Sequence, residues 1–138
     1  MKTQRVDTWA ATLEDKPGSL AAKLQALAEA GVNLEFVLAR RTPETSGSAI
    51  VFVSPIKGAK QSRAAEAAGF KKTEDLHAVR LEGADKPGQG ARLTRALAEK
   101  GLNLRGFSAL ALGRKFVCYV ALDTPADAAQ AARILRGL

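Results

Sequence analysis

Apolar and polar residues alternate along the first half of the chain in a pattern that predicts strand, helix, strand, strand and helix. Residues 6–13 place Trp9, Ala11 and Leu13 on one face, as in a half-buried strand. The next stretch has apolar residues at helical spacing and ends before Gly31, a typical helix stop. The residue types in the rest of this half predict strands over residues 33–41 and 48–54, a second helix over 55–68 and a short last strand over 70–75.

The second half repeats this order about 70 residues later. Val79 and Leu81 take the inward positions of its first strand. Thr124 as N-cap and Pro125 at the first helical position predict the start of a last helix. The predicted strands and helices of this half cover residues 77–83, 87–100, 103–112, 115–122 and 125–138.

The fold class that follows is α+β, with two ferredoxin-like βαββαβ units in tandem. Each unit should have an antiparallel sheet with its helices on one face. The second unit lacks its last strand, and we expect something else, such as a partner subunit, to cover the sheet edge left open. The units are predicted to cover residues 1–75 and 76–138, rigidly coupled because no Pro-, Gly- or Ser-rich linker separates them.

An internal repeat marks the start of the first helix in each half. The segments DKPGSLAAKLQALAEAGVNL and DKPGQGARLTRALAEKGLNL, at residues 15–34 and 85–104, agree at 12 of 20 positions. We expect Pro17 and Pro87 to begin the helices, with Asp15 and Asp85 accepting first-turn N–H groups. The glycines after the prolines would allow close approach to the backbone. Each copy is therefore predicted to be a helix N-terminus that can accept a carboxylate or phosphate.

Two strands are apolar at consecutive positions, not at alternate ones. These runs lie at residues 50–53 and 116–122. Continuous apolar runs indicate that both faces of a sheet are shielded from water. Because helices cover one face in this plan, the other face should pack on the second half or on a second subunit. We therefore expect a homodimer.

Charge and composition argue against nucleic-acid binding and against insertion into a membrane. The formal charge is +7 and the pI about 9.9, but the basic residues are spread along the chain, as on a solvated surface. An RNA-recognition domain shares the element order, yet segments 48–54 and 114–119 lack its aromatic RNP pattern, so nucleic-acid binding is a lesser alternative. The longest apolar run is too short for a membrane span, and no signal peptide is evident, so we expect a cytoplasmic protein.

The chain offers no constellation for catalysis. Cys118 and His77 are the only cysteine and histidine, which is a poor basis for a metal site or an activated nucleophile. No Walker or dinucleotide-binding motif is present, so no cofactor is predicted. Cys118 is interpreted as a buried structural thiol. The sequence therefore predicts a protein that is not an enzyme.

The repeated D-x-P-G turn, with Gly-x-Asn opening the next strand, resembles the ACT domain family, and specifically small proteins made of two ACT domains. The resemblance implies a regulatory protein that binds an amino acid or similar small ligand between adjacent domains, in association with a regulated enzyme. A scaffold that binds no ligand is the alternative. The positions that match the family's ligand site are Asp15, Pro17, Gly18, Ser19, Val32 and Asn33 in the first copy, and Asp85, Pro87, Gly88, Gln89, Leu102 and Asn103 in the second.

The two copies are not expected to be equivalent. Gly90 stands where the first copy has Leu20, an apolar helix residue of the kind the family favours. The second copy also lacks its last strand. Both differences favour the first turn as the one that binds a ligand.

Overall fold

The structure, a computed structural model, describes residues 1–74 and 76–138. The strands are β1 Lys2–Val6, β2 Trp9–Glu14, β3 Phe36–Arg41, β4 Ser48–Ser54, β5 Lys71–Lys72, β6 His77–Ala84, β7 Gly106–Leu112 and β8 Lys115–Leu122. The helices are α1 Ser19–Glu29, α2 Gly58–Ala67, α3 Gln89–Ala98 and α4 Pro125–Arg136. None of these helices combines the length and apolar character needed to cross a membrane.

The chain divides into two compact units, each with a four-stranded antiparallel sheet. The first-repeat unit, Asp7–Thr73, has the strand order β3-β4-β2-β5. The second-repeat unit combines Met1–Val6 with Glu74–Leu138 and has the order β1-β6-β8-β7. Both have the ferredoxin-like plan that the sequence predicted, and the chain carries two of them in tandem.

The N-terminal strand completes the second sheet. No strand follows α4 among the described residues, as the sequence predicted, but β1 pairs antiparallel with β6 from Val6–Ala78 to Lys2–Glu82. It takes the edge that β5 takes in the first unit. The open edge is therefore covered as expected, but by a segment of the chain itself and not by the partner subunit given as an example. The first six residues lie with the second repeat, whereas the predicted division placed them in the first; its boundary residue 75 lies outside the described residues.

Each sheet buries one face under its own two helices. The first core contains Trp9, Ala11, Val51 and Val53 under Leu27 and other residues of the helices. The second contains Val79, Leu81 and alternate residues of β8 under α3 and α4. Along β8 the intervening residues, such as Val117 and Tyr119, are half-buried, so the continuous apolar run covers one fully buried and one partly covered face.

Several element ends differ from the predicted ones for local reasons. Strands β3 and β7 begin three residues later than predicted, because Val32 and Leu102 first close the preceding helix by donating to the carbonyls of Leu27 and Leu97. Helix α4 begins as predicted: Pro125 is its first residue and the Asp127 N–H donates to the Thr124 hydroxyl at 3.0 Å.

Candidate functional site

Both D-K-P-G segments lie at the turn from the first core strand of a unit to its first helix. Helices α1 and α3 begin two residues after the prolines, at Ser19 and Gln89, so the prediction that the prolines begin the helices is wrong. The intervening Gly18 and Gly88 have φ of 90° and 81°, in the left-handed region that favours glycine. A Cβ at either glycine would have no neighbour within 4 Å, so these glycines serve the backbone conformation of the turn.

The aspartates of the repeat do not cap the helices. Neither α1 nor α3 has a side-chain cap hydrogen bond at its N-terminus. The Asp15 carboxylate instead accepts from Arg41 Nε at 2.8 Å. The backbone N–H of Asp15 and that of Asp85 donate to the following hairpin, at Gly47 and Arg114 respectively, both at 2.9 Å. The aspartates thus anchor the turn to the hairpin of their own unit.

An open cleft lies over each of the two turns. The first cleft, of about 550 Å³, is formed by the end of β2, the turn and the start of α1. The second cleft, of about 460 Å³, is formed by the matching end of β6, its turn and the start of α3. Their lining residues are Thr12, Leu13, Glu14, Lys16, Pro17, Gly18, Ser19, Ala22 and Lys23, and Met1, Gly83, Ala84, Lys86, Pro87, Gly88, Gln89, Arg92 and Leu138.

Half of the predicted site residues line these clefts. Within each unit the structure brings together the proline, the glycine and the first helical residue of the turn, whereas the aspartate is not part of the lining among the described residues. The predicted positions after the helices lie beyond their opposite ends, about 15 Å away along the helix axis. Asn33 and Asn103 are exposed there, Val32 packs on the first core and Leu102 belongs to the second.

The first cleft carries charges of both signs. Glu14 and Lys16 form an exposed ion pair at 2.8 Å. The hydrogen bond and charge of Lys16 lower the pKa of the Glu14 carboxyl, and the same contacts raise the pKa of the Lys16 ammonium. The ammonium of Lys23 donates to the backbone carbonyl of Ala68. A ligand with both a cationic and an anionic group therefore finds complementary charges in this cleft.

The second cleft contains the guanidinium of Arg92, which donates hydrogen bonds to Gln89 and Leu138. Gln89 is buried and donates through Nε2 to the Ala84 carbonyl at 2.8 Å. Its Oε1 accepts from Arg92 Nη1 at 3.0 Å, and Arg92 Nη2 donates to an oxygen of Leu138 at 2.6 Å. Gln89 is one of the residues predicted from the sequence, whereas Arg92 is not. Comparison of the two copies could have found it, because the matching position of the first is Ala22.

The missing last strand and Gly90 made the second turn the less favoured ligand site, and the structure shows what lies at each of these two positions. The missing strand is supplied by β1. The phenyl ring of Phe107 lies 3.9 Å from the point where a Cβ at Gly90 would stand, so an aromatic side chain packs next to this glycine. The second sheet therefore has four strands, like the first.

Residues suited to metal binding do not converge in the part of the chain that the structure describes. Across residues 1–74 and 76–138 no three His, Cys, Asp or Glu side chains are placed to hold a metal ion. Cys118 is a buried free thiol in the second core. Burial raises the pKa of this thiol to about 12, so it is protonated at neutral pH.

Comparison with protein-family models and with curated proteins gave no match. Solved structures match over nearly the whole chain. One is a protein from Bacteroides thetaiotaomicron, with a TM-score of 0.78 and 17% identity over 98% of this chain and 89% of that one. Another is the ligand-free regulatory subunit of aspartate kinase from Thermus thermophilus, with a TM-score of 0.66 and 18% identity over 99% and 94%.

A complete enzyme contains the same fold as one part. Escherichia coli aspartokinase III, in complex with lysine and aspartate in its T-state, matches 98% of this chain with 31% of its own length, at a TM-score of 0.52 and 16% identity. At these identities the similarity concerns the fold. The chain therefore has the tandem ACT-domain fold that its repeated D-K-P-G turn predicted, the fold also found in the regulatory subunit of an aspartate kinase.

Proposed function

We propose that the chain is a non-catalytic regulatory protein whose turn clefts bind an amino acid or a similar small ligand. The observation that carries this proposal is the recurrence of a cleft over the same strand-to-helix turn in both units. Each cleft is formed partly by the first residue of a helix that has no side-chain cap. Backbone N–H groups at such a helix start suit a carboxylate, and an adjacent cavity of a few hundred Å³ suits a small molecule.

The similar solved structures support a regulatory role. The Thermus thermophilus protein is the regulatory subunit of an aspartate kinase, and this chain covers 94% of it. The Escherichia coli enzyme binds lysine and aspartate in its T-state. By analogy, we propose that the present chain acts on an enzyme through the occupancy of its clefts.

The ligand site is proposed to extend beyond each cleft. The family resemblance implies that Val32 and Asn33, or Leu102 and Asn103, are contributed by a neighbouring domain. An exposed Asn carbonyl oxygen suits an α-ammonium group. Asp15 and Asp85 belong to this proposal as residues that hold the turns on their hairpins.

A second copy of the chain is the proposed partner in assembly. The edge strand β7 contains no charged residue, and its Leu110 and Leu112 are 58% and 70% exposed. A long uncharged edge strand invites pairing or packing with another chain. This supports the homodimer that the apolar runs of the sequence predicted.

The function is tested by ligand-dependent thermal unfolding with each of the twenty amino acids. A ligand at one hundred times its Kd should add about 2.7 kcal/mol to the free energy of unfolding. Ser19→Glu places a carboxylate in the first cleft, at a helix start where it is tolerated, and should weaken binding there. Ala21→Glu is the control, because it adds the same charge to the same turn of α1 outside the lining. No response to any amino acid at millimolar concentration would exclude amino acids as the ligands of these clefts.

A further inference from the structure

The two clefts differ in charge at matching positions of the repeat. Glu14, which lines the first cleft, corresponds to Ala84, and Ala22 corresponds to Arg92. The second cleft therefore lacks the carboxylate of Glu14 and gains the guanidinium of Arg92, and it also lacks the ammonium of Lys23, whose matching residue is Leu93. Each cleft has a lysine at the same position of the repeat, Lys16 in the first and Lys86 in the second. Among the described residues Lys86 has no acidic partner like the one that Glu14 provides to Lys16.

We propose that the second cleft selects small ligands of net negative charge, and that Arg92 is the residue that determines this selectivity. The inference rests on the proposed function and adds the ligand class of one cleft. It makes the two clefts different in chemistry, the first suited to a zwitterion and the second to an acid.

Two hydrogen bonds restrain the exposed side chain of Arg92 at the cleft. Its Nη1 donates to Gln89 Oε1 at 3.0 Å, and Gln89, 4% exposed, is itself fixed by its bond to Ala84. A long charged side chain loses rotamer entropy when it binds a ligand, and a buried partner that already restrains it reduces this loss. Gln89 is thus a positioning residue for the guanidinium. The first copy has the shorter Ser19 at this position.

The guanidinium already makes the type of contact that a ligand oxygen would make. Its Nη2 donates to an oxygen of Leu138, 2.6 Å away at the rim of the cleft. Among the described residues these are the hydrogen bonds of Arg92, which leaves further N–H groups of the guanidinium available to donate. Planar guanidinium groups bind carboxylates through two parallel hydrogen bonds. A carboxylate that enters the cleft can therefore engage Arg92 while Lys86 contributes a second positive charge.

The rest of the lining limits the size of the ligand. Met1, Pro87 and Leu138 contribute apolar surface to a cleft of about 460 Å³. A short-chain acid with a few carbon atoms fits this description. L-Aspartate and L-asparagine are suitable probes, because they have nearly the same shape and differ by one charge.

The experiment measures the affinity of the complete chain for L-aspartate, L-asparagine and succinate by titration calorimetry. We expect L-aspartate and succinate to bind about tenfold or more tightly than L-asparagine. Arg92→Ala should remove this preference. It reproduces the residue of the first copy on an exposed helix surface, so folding should be retained. Arg133→Ala, which removes an exposed positive charge of α4 outside the cleft, should leave the preference unchanged.

The outcomes separate this inference from the proposed function. Equal affinities for L-aspartate and L-asparagine, or a preference that survives Arg92→Ala, would overturn the selectivity while the binding function stands. Absence of binding of any probe or of any of the twenty amino acids at millimolar concentration would overturn both. In the double variant Ser19→Gln with Ala22→Arg, the first cleft should gain a preference for L-aspartate, and an unchanged preference would count against Arg92 as its determinant.

Discussion

The side chain of Met1 occupies the space that a larger residue at position 83 would need. Its Cγ and Sδ lie 3.1 Å from the point where a Cβ at Gly83 would stand. In the first copy the matching residue is Leu13, which is buried in its own core. Met1 packs against the second core, so a residue next to β1 replaces a side chain that the second repeat lacks.

This relationship predicts coupled effects on stability. Gly83→Leu should lower the free energy of unfolding by about 1–3 kcal/mol, because the new side chain must displace Met1. Met1→Ala, made in a protein released from a cleavable fusion, should reduce the cost of Gly83→Leu. Urea denaturation of the single and double variants gives the coupling energy. Strictly additive effects would contradict the replacement of one side chain by the other.

The pairing of β1 with β6 predicts where the chain loosens when the N-terminus is removed. Deletion of residues 1–6 should expose the β6 edge and increase amide hydrogen exchange in β6 and α4, which β1 contacts. Strands β2 and β4 of the first-repeat unit should keep their protection. Trp9, the only tryptophan, reports on that unit through its fluorescence and serves as an internal control. Uniform loss of protection in both units would contradict the prediction.

Most of the first-repeat architecture follows from side-chain pattern, whereas β1 does not. Trp9, Ala11 and Leu13 mark β2 because alternate residues of a half-buried strand must be apolar. The segment KTQRV has no such pattern, since β1 is an edge strand held by backbone hydrogen bonds to a partner more than 70 residues away. Sequence pattern carries little information on such a non-local pairing, so the fourth strand of the second sheet could not be predicted from it.

In the candidate site, too, some features could be predicted from the sequence and others could not. The repeated turn can be predicted from the sequence because glycine and proline are residue types typical of turns. The start of the helices was not, because Gly18 and Gly88 adopt a left-handed conformation that delays the first helical residue. The contacts of Arg92 depend on Leu138, 46 positions away, and could not be inferred from local spacing.

Glu82 predicts a contribution to stability that is lost in acid. Its hydrogen bonds, first with Lys115 and then with Arg80, lower the pKa of the Glu82 carboxyl in the folded protein. The contribution is present above the unfolded-state pKa of about 4.3 and is lost as pH falls through the lower folded-state value. Between pH 7 and about pH 3, Glu82→Gln should therefore lose less unfolding free energy than the wild type.

The matched control for this measurement is Glu99→Gln. Glu99 is exposed and forms no ion pair within residues 1–74 and 76–138. Its removal should leave the acid-induced loss close to that of the wild type. Equal acid-induced losses in the Glu82→Gln variant and the wild type would show that the ion pairs of Glu82 contribute nothing.

Cys118 is predicted to be unreactive in the folded protein. Its thiol is buried, and its pKa of about 12 leaves almost no thiolate at neutral pH. Alkylation by iodoacetamide should be slow under native conditions and fast in denaturant, as followed by mass spectrometry. Rapid modification of the native protein would contradict the placement of this residue in the second core.

The edge strand β7 predicts the effect of one added charge on assembly. Leu110→Lys should shift the protein from dimer to monomer in sedimentation velocity at micromolar concentration, because a charge on an apolar edge opposes pairing. Thr45→Lys, an exposed position in the hairpin of the other unit, is the control. A wild-type protein that sediments as a monomer would overturn the proposed homodimer.

The placement of β1 also has a consequence for the order in which the chain folds. Residues 7–73 form a compact unit whose ends are joined by a hydrogen bond of 2.9 Å from the Thr73 N–H to the Thr8 carbonyl. Once this unit has formed, its two ends lie close together, so only the few residues between these ends and the paired Val6 and Ala78 remain to be ordered. Without it, some 70 flexible residues would separate the two strands. The folded unit therefore reduces the entropy cost of pairing β1 with β6. We therefore expect the unit of residues 7–73 to fold first, and the pairing of β1 with β6 to follow.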